Sequence, residues 1–282
     1  MSDYVFQDNG DLARRHVEAL QAYLDPVTTT QLSTIGVAAG WRCLEVGGGG
    51  GSIAGWLSRH VGPSGYVLAT DLQPDQLRAG TNGNVTVVRH DIAEDDLPEG
   101  EFDLVHARLV LVHVERRHQA LAAMVRALKP GGWLLIEEFD PTHVRVLSAP
   151  GPSAALFTKV HDSVIDVLAH CGLDHGWGAA LYDTLRQHGL NEVTVKIHGE
   201  SWPGGSPASE LHVVNSHLLQ DALVAGGRVT VAELESFRAL FSDPAFAVSS
   251  YLVVSAWGRR RAAERALSRR YQGAGSRVAV GG

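Results

Sequence analysis

Residues 44–51 read Leu-Glu-Val-Gly-Gly-Gly-Gly-Gly, and this stretch decides the fold class. The apolar run at residues 41–46 predicts a strand, and that strand ends where five consecutive glycines begin. Helical spacing starts at Ser52, with Ile53 and Leu57 on one face. A strand, a glycine turn and a helix in this order are typical of a doubly wound α/β domain, in which ligands bind at the carboxyl ends of the strands.

The spacing of the glycines limits the class of ligand. A dinucleotide fingerprint has the form Gly-x-Gly-x-x-Gly, and no register of this run completes it because Ser52 follows Gly51. The Lys-Ser or Lys-Thr pair of a phosphate-binding P-loop does not follow the glycines either. The pattern that fits is acid-x-Gly-x-Gly-x-Gly, at Glu45, Gly47, Gly49 and Gly51. A carboxylate here would repel a pyrophosphate, whereas it suits a ligand that carries an ammonium and a sulfonium.

Acidic residues lie at the ends of the next two predicted strands. The run at residues 66–71 ends in Asp71, about 20 residues after Gly51, where a carboxylate can accept hydrogen bonds from both ribose hydroxyls. The run at residues 84–92 ends in His-Asp-Ile and includes Asp91. Either aspartate could instead form a turn at the end of its strand, as aspartate often does.

Two later segments complete the pattern. Residues 102–108 predict a fourth strand, and residues 126–137 predict a helix end, a Pro-Gly-Gly turn and a fifth strand. In this order and at these intervals, the segments resemble the class I S-adenosylmethionine-dependent methyltransferases. The resemblance rests on motifs over residues 41–137 and on layout alone in the remainder. The sequence segments that carry this resemblance are similar to those of bacterial enzymes that methylate small molecules, commonly natural products.

The resemblance implies a fold, a cofactor and a binding site. The fold is a doubly wound, Rossmann-like α/β sheet of seven strands. The cofactor is S-adenosyl-L-methionine, which becomes S-adenosyl-L-homocysteine, and in the family an acid at the place of Asp91 holds the adenine amine. No metal is expected, because no His, Cys or clustered acid spacing suits one. The expected cofactor-binding residues are Tyr4, Glu45, Gly47, Gly49, Gly51, Asp71, Leu72, Asp91, Ile92, Ala107 and Arg108.

The N-terminal segment, residues 1–40, predicts a helical cap over the cofactor site. Residues 8–24 have helical apolar spacing, and residues 28–35 predict a second helix after a break at Pro26. Such a cap matters because methyl transfer is an in-line displacement that benefits from excluded water and a fixed nucleophile. Tyr4 could close over the site, although simple packing of its ring is an equal alternative.

The back half of the chain predicts a second cover for the substrate. Helices are expected over residues 153–169 and 177–187, and strands over residues 192–198 and 251–257. A helical insertion, residues 199–250, separates the sixth and seventh strands, and connections this long are usually functional. The insertion could instead form the interface of a homodimer. The methyltransferase domain as a whole is expected to span residues 41–258.

Two histidines are the candidate general bases. Methyl transfer to oxygen or nitrogen often uses a base, usually histidine, within hydrogen-bond reach of the acceptor. Among 14 histidines, His113 follows the fourth strand and His143 follows the fifth, on the side where the methyl group should point. Glu138 and Asp140 share this location, and His217 could reach it from the insertion. Each can also be a structural residue, and a carboxylate acceptor would need no base because it is already ionised.

Composition limits the partners of the protein. The net charge is −7, and residues 259–282 carry seven arginines against one glutamate, so the body is more acidic than the total. An acidic body is a poor surface for nucleic acid, and the basic C-terminal tail at 259–282 predicts a disordered terminus. Neither a signal segment nor a membrane-length apolar run is evident, and two distant cysteines predict no disulfide framework. We expect a cytoplasmic protein that binds neither nucleic acid nor membrane.

These observations predict a metal-independent methyltransferase that acts on an oxygen or nitrogen atom of a small molecule, such as a product of bacterial secondary metabolism. Three alternatives stay open. The protein could bind the cofactor but catalyse another reaction, such as cyclisation or decarboxylation. It could methylate peptide or carboxylate oxygens. It could also be a non-catalytic, cofactor-binding partner in a larger complex.

Overall fold

The computed structural model describes residues 10–77, 83–148 and 151–262. Tyr4 and residues 263–282 of the predicted tail lie outside this range. The helices are α1 Asp11–Ile35, α2 Ser52–Val61, α3 Arg117–Ala127, α4 Pro152–His170, α5 Trp177–Gln187, α6 Glu210–Leu218, α7 Gln220–Ala225 and α8 Val231–Leu240. The strands are β1 Arg42–Val46, β2 Tyr66–Asp71, β3 Val85–Arg89, β4 Phe102–Arg108, β5 Leu128–Asp140, β6 Leu190–His198, β7 Ser201–Pro203, β8 Ala247–Ser249 and β9 Leu252–Arg260.

Seven strands form one sheet in the order β3-β2-β1-β4-β5-β9-β6. The strands β1 to β5 pair in parallel, and β9 runs antiparallel between β5 and β6. Strand order reverses beside β1, so the carboxyl ends of β1 and β4 border a crevice, the usual ligand site of such sheets. The predicted doubly wound sheet of seven strands, with a helical insertion before the last strand, is confirmed.

The central strands are apolar because helices cover both faces of the sheet. On one face, α2 and the end of α1 pack on residues such as Cys43 and Leu104. On the other face, α3 and α5 pack on Leu44, Val105 and Leu134. The ionisable side chains buried in the middle of this sheet are therefore exceptions that need partners.

The cap helix α1 is one helix of 25 residues, whereas two helices separated by a break at Pro26 were expected. A proline inside a helix removes one backbone hydrogen bond and usually kinks or ends the helix. Here the buried face continues through the proline, from Tyr23 and Leu24 to Val27 and Leu32. Packing of this face outweighs the local cost of the proline, so the prediction of a break was wrong.

The insertion and the cap share one apolar core. The helices α6, α7 and α8 and the two-stranded sheet of β7 and β8 lie within residues 199–250. Their buried side chains form one cluster with α1 and α4, including Tyr23, Phe157, Trp202 and Phe237. The insertion is therefore packed on the cap, and its role as a cover for the substrate stays a prediction.

The last strand extends into the predicted basic tail. Arg259 and Arg260 belong to β9, and their side chains donate to the carbonyls of Gly131 and Arg126, each at 2.7 Å. The strand boundary expected near residue 257 was therefore too early, because the arginine side chains find acceptors on the neighbouring β5 connection. In the described ranges, no helix combines the length and the apolar character needed to cross a membrane.

Candidate active site

The five glycines form a turn between β1 and α2 in which three residues have positive φ. Gly47, Gly49 and Gly51 have φ of 69°, 49° and 81°. The N–H groups of Gly47 and Gly48 donate to the Thr70 carbonyl at 2.8 and 2.9 Å, which fixes the turn to β2. A Cβ built at Gly49 would meet nothing within 4 Å. The turn therefore presents bare backbone to open space at the carboxyl end of β1, where a ligand can approach closely.

Asp71 ends β2 beside this turn. Its Oδ2 accepts from the Gly49 N–H and its Oδ1 from the Gln73 N–H, both at 2.9 Å. A carboxylate has about four acceptor sites, so both oxygens can still accept from a ribose diol. Leu72 follows it with half of its side-chain surface exposed. A polar acceptor and an apolar surface thus lie side by side.

Asp91 lies just beyond the end of β3. Its Oδ1 accepts from the Ala93 N–H at 2.9 Å, and its own N–H donates to Asp95 at 2.8 Å. The next side chain, Ile92, is buried. These bonds are those of a strand-end turn, which was the open alternative, and they leave acceptor capacity on the carboxylate. The role of Asp91 and Ile92 at the adenine stays a prediction.

Glu45 is buried and bonded to a histidine that sequence reasoning did not select. The His106 ring of β4 lies opposite Glu45 in the sheet register, with Nδ1 2.7 Å from Glu45 Oε2 and Nε2 3.3 Å from Glu137 Oε2. Burial would lower the pKa of His106, but the two carboxylates outweigh it and raise the pKa to about 9. The ring is therefore an imidazolium at neutral pH and donates from both nitrogens.

Glu137 is the second carboxylate of this network. Its oxygens also accept from the hydroxyls of Ser255, at 2.6 Å, and Thr28 of α1. Burial would raise the pKa of Glu137, but bonding to His106 and to these hydroxyls lowers it. Side chains from α1, β1, β4, β5 and β9 thus meet in one charged network below the glycine turn.

Arg108, one of the predicted cofactor residues, contacts the cap helix. Its Nη1 donates to Asp25 Oδ1 at 2.9 Å and to Thr28 Oγ1 at 3.0 Å. The same Asp25 oxygen accepts from the Ser52 hydroxyl at 3.0 Å. These bonds fasten α1 across the end of β4 and the first turn of α2. Ala107 is buried beside it, and the cofactor roles of Ala107 and Arg108 stay predictions.

His113 has a neighbour on the cap helix. It ends the short 3-10 turn Leu111–His113 that follows β4. Burial, and next the positive charge of Arg117, lower the pKa of His113 to about 4. Burial and the nearby His113 also lower the pKa of His16 to about 4, although a hydrogen bond with Asn215 of α6 partly raises it. Both rings are neutral at pH 7 and can take up a proton.

The other candidate bases lie in different surroundings. His143 is largely exposed, and its Nδ1 lies 3.0 Å from Asp140 Oδ2. His217 is exposed on α6, although its neighbour Asn215 is buried. The structure thus brings His113 together with the cap and the insertion, and it leaves His143 at the surface beside Asp140. A catalytic role for either histidine stays a prediction.

Sequence reasoning missed His106, Glu137, Asp25, Thr28 and His16. His106 and Glu137 carried a usable signal, because ionisable residues in the middle of buried parallel strands need partners. His16 falls on the apolar face of the expected first helix, and its helical position alone does not distinguish a core residue from a site residue. Asp25 and Thr28 were hidden by the expected break at Pro26.

These residues fit S-adenosylmethionine, the cofactor that the sequence resemblance implies. The glycine turn has open space at Gly49 that a Cβ would enter, and Asp71 retains acceptor capacity for ribose hydroxyls. The buried carboxylates Glu45 and Glu137 flank a single imidazolium, which suits a cationic ligand end. Within the described ranges, no group of three or more His, Cys, Asp or Glu side chains is arranged to hold a metal ion.

Comparison with known proteins finds similarity in the part of the chain that contains the glycine turn and the parallel strands. Residues 44–136 match the family model described as a methyltransferase domain. The ubiquinone/menaquinone biosynthesis C-methyltransferase UbiE of Pseudomonas paraeruginosa is 35% identical over 143 residues, which are 48% of this chain and 51% of that protein. UbiE of Azotobacter vinelandii is 37% identical over the same length, or 48% and 52% of the two chains. The chain thus spans about half the length of the curated relatives it matches.

Solved structures share the fold at low identity. A protein of Bacillus halodurans superposes with a TM-score of 0.54 at 17% identity, covering 82% of this chain and 98% of the other. Phosphoethanolamine N-methyltransferase 2 of Haemonchus contortus superposes with a TM-score of 0.51 at 15% identity, covering 84% of this chain and 53% of the other. Residues 44–136 thus match a methyltransferase domain, and the sheet order and the glycine turn are those of the class I S-adenosylmethionine-dependent methyltransferase fold.

Proposed function

We propose that this protein transfers the methyl group of S-adenosylmethionine to an oxygen or nitrogen atom of a small molecule, without a metal ion. The observation that carries the proposal is the set of a bare glycine turn, Asp71 and Asp91 at the carboxyl ends of β1, β2 and β3. The cofactor supplies an electrophilic methyl group on a sulfonium. The protein has to hold that group against a nucleophile and exclude water.

We assign the acceptor side to the cluster of side chains formed where α1, α6 and the turn after β4 converge. His113 and His16 are neutral there at pH 7, and Asn215 lies beside His16 and the Tyr251 hydroxyl. His113 accepts the proton that a hydroxyl or amine loses as it is methylated. The side chains of this cluster, apart from nearby Arg117, are uncharged at neutral pH, which supports a neutral acceptor such as a natural product of secondary metabolism.

The test is a methylation assay with purified protein, S-adenosylmethionine and a panel of phenols, alcohols and amines. We expect one class of acceptor to give a methylated product and an equal amount of S-adenosylhomocysteine. Formation of S-adenosylhomocysteine without a methylated product, or conversion of an acceptor without methyl gain, would support cofactor binding with another chemistry. Binding without any turnover across the panel would support a non-catalytic partner.

A second candidate is methylation of a ring carbon. The matched relatives are named as C-methyltransferases of ubiquinone and menaquinone biosynthesis, and their likeness covers 143 residues of this chain. Tyr251, Phe139 and Tyr23 pack on one another in the core shared by α1 and the insertion, and aromatic surroundings of this kind favour a flat ring. Adding a quinol to the panel and locating the new methyl group by mass spectrometry and NMR separates carbon from oxygen methylation.

A carboxylate acceptor is the third outcome of the same panel. Such a nucleophile needs no base, so its methylation would survive replacement of His113. We propose that the partner is a small molecule and neither nucleic acid nor a membrane surface. A cytoplasmic location and a homodimer formed through the insertion also stay predictions.

A further inference from the structure

The buried network below the glycine turn contains more negative than positive charge. Two carboxylates, Glu45 and Glu137, flank the His106 imidazolium, and none of the three side chains exposes more than 4% of its surface. An uncompensated charge is costly to bury. The network therefore needs either further donors or a cation.

The further donors are placed at one end of the network. Glu137 accepts from Ser255 on Oε1 and from Thr28 on Oε2, in addition to His106. Glu45 accepts from His106 on Oε2 at 2.7 Å, the shorter of the two imidazole contacts. The hydroxyls thus supply donors to both oxygens of Glu137, whereas Glu45 Oε1 accepts from no donor among the described residues and can accept from a ligand. Glu45 lies two residues before Gly47, at the entrance to the glycine turn.

We infer that His106 is a positioning residue, which holds the Glu45 carboxylate toward the ammonium group at the amino-acid end of the bound cofactor. The inference rests on the proposed function, because it requires the cofactor to occupy the glycine turn. Glu137 keeps the imidazole in place from the far side, and Thr28 ties Glu137 to the cap helix. His106 itself lies within the sheet and does not touch the cofactor.

Two substitutions separate positioning of Glu45 from general support of the core. In His106→Asn, the amide nitrogen lies near the place of the imidazole Nδ1, so a donor toward Glu45 is retained. In His106→Gln, the amide nitrogen lies near the place of Nε2, so a donor toward Glu137 is retained instead. Both variants lose the same positive charge, which makes each the control for the other.

The measurement is calorimetric titration with two ligands, S-adenosylhomocysteine and methylthioadenosine. The second ligand keeps the nucleoside and lacks the ammonium group. We expect His106→Gln to weaken S-adenosylhomocysteine binding by about ten-fold or more, the range of a hydrogen bond to a charged group. His106→Asn should lose clearly less, and methylthioadenosine should bind both variants alike. The variant His161→Asn, which removes a buried imidazole that stacks on Phe157 in the core shared by cap and insertion, should leave the ratio of the two affinities unchanged.

Several results would overturn the inference. Equal losses of S-adenosylhomocysteine affinity in the two His106 variants, or equal losses for both ligands, would mean that His106 only supports the core. If neither variant folds, the imidazole N–H protons of His106 in the wild-type protein serve instead. They should shift in NMR spectra on addition of S-adenosylhomocysteine and not of methylthioadenosine, and identical responses would contradict the inference. Absence of binding of both ligands to the wild-type protein would contradict the proposed cofactor itself.

Discussion

Asp71 is the residue at which the nucleoside end of the site can be tested most directly. Its carboxylate stands at the end of β2 with acceptor capacity left on both oxygens. We expect Asp71→Ala to weaken binding of S-adenosylhomocysteine by roughly 1–3 kcal/mol, the cost of stranding hydrogen-bonded partners. Calorimetric titration measures the change. The control is Asp75→Ala, which replaces an exposed aspartate in the following turn. An unchanged affinity in Asp71→Ala would contradict binding of the ribose at the end of β2.

His113 and His143 are the alternative general bases, and substitution of each distinguishes between them. His113 is neutral and lies where α1, α6 and the turn after β4 meet. His113→Asn should therefore lower kcat by about a hundred-fold or more, the usual contribution of a general base. The cofactor affinity should be unchanged. His143→Asn tests the exposed alternative, and His170→Asn, an exposed histidine on α4, controls for histidine loss. A larger loss of kcat in His143→Asn than in His113→Asn would identify His143, after the end of β5, as the base.

The pH profile carries a second check on His113. Its pKa is lowered to about 4, so the ring stays unprotonated, and competent as a base, well below the ordinary histidine range. The acidic limb of kcat/KM should therefore lie below pH 6. A limb near pH 6.5, in the wild-type protein and not in His113→Asn, would mean that the ring is more exposed to water than the structure shows.

Because of Glu138 and His106, the stability of the fold should decrease as pH rises. Burial raises the pKa of Glu138 from 4.5 to about 8, although the Val112 N–H donates to it at 3.2 Å. The pKa of His106 rises from 6.5 to about 9. A group whose pKa is raised on folding contributes stability that is complete below the unfolded pKa and is lost as pH rises through the folded pKa. Glu138 therefore lowers the free energy of unfolding as pH rises from 4.5 to about 8, and His106 lowers it from 6.5 to about 9.

Urea unfolding at pH 6.5, 7.5 and 9 measures this fall. The variant Glu138→Gln removes one of the two ionisations, so its stability should fall less steeply over this interval. A free energy of unfolding that stays level or rises toward pH 9 in the wild-type protein would show that one of the two groups is not held in the described protonation state.

The contact of α1 with the glycine turn gives a prediction about a secondary-structure element. A Cβ at Gly50 would lie 2.5 Å from Gln21 Nε2 and 2.9 Å from Val17 Cγ1, both on α1. The glutamine end can rotate, but the valine has to shift with its helix. We expect Gly50→Ala to cost about 1 kcal/mol or more of stability, as overpacking does, and to weaken cofactor binding. Gly151→Ala, where a Cβ meets nothing within 4 Å, is the control in urea unfolding and calorimetry.

The elements also show where local sequence was sufficient. The strands β2 and β4 and the helix α5 have the bounds that their periodicity predicts, because each is bounded by local turn residues. The course of α1 through Pro26 depends on packing against the insertion and the sheet, which no local pattern contains. The strands β7 and β8 are three residues each, too short for alternation to be recognised.

The same division holds for the site. The glycine turn, Asp71 and Asp91 were found from sequence because each lies at the end of its own strand, in a motif of a few residues. The network of Glu45, His106 and Glu137 joins strands that are far apart in sequence. The neighbours His16 and Asn215 come from the two covers. Such pairs are created by sheet order and by the packing of α1 on α6, so they become visible only when the chain is folded.

The shared core of cap and insertion predicts how the protein responds to its ligand. Since α1 contacts the glycine turn and is bonded to α6 through Arg15 and Glu210, a ligand that stabilises α1 should also stabilise α6. Ligand binding adds its free energy to every opening that disrupts the site. We expect S-adenosylhomocysteine to slow amide hydrogen exchange in the glycine turn, α1 and α6, and to leave α5 unchanged because it packs on the opposite face. Exchange followed by mass spectrometry gives the answer, and protection confined to the strand ends would mean that the insertion opens independently of the cofactor site.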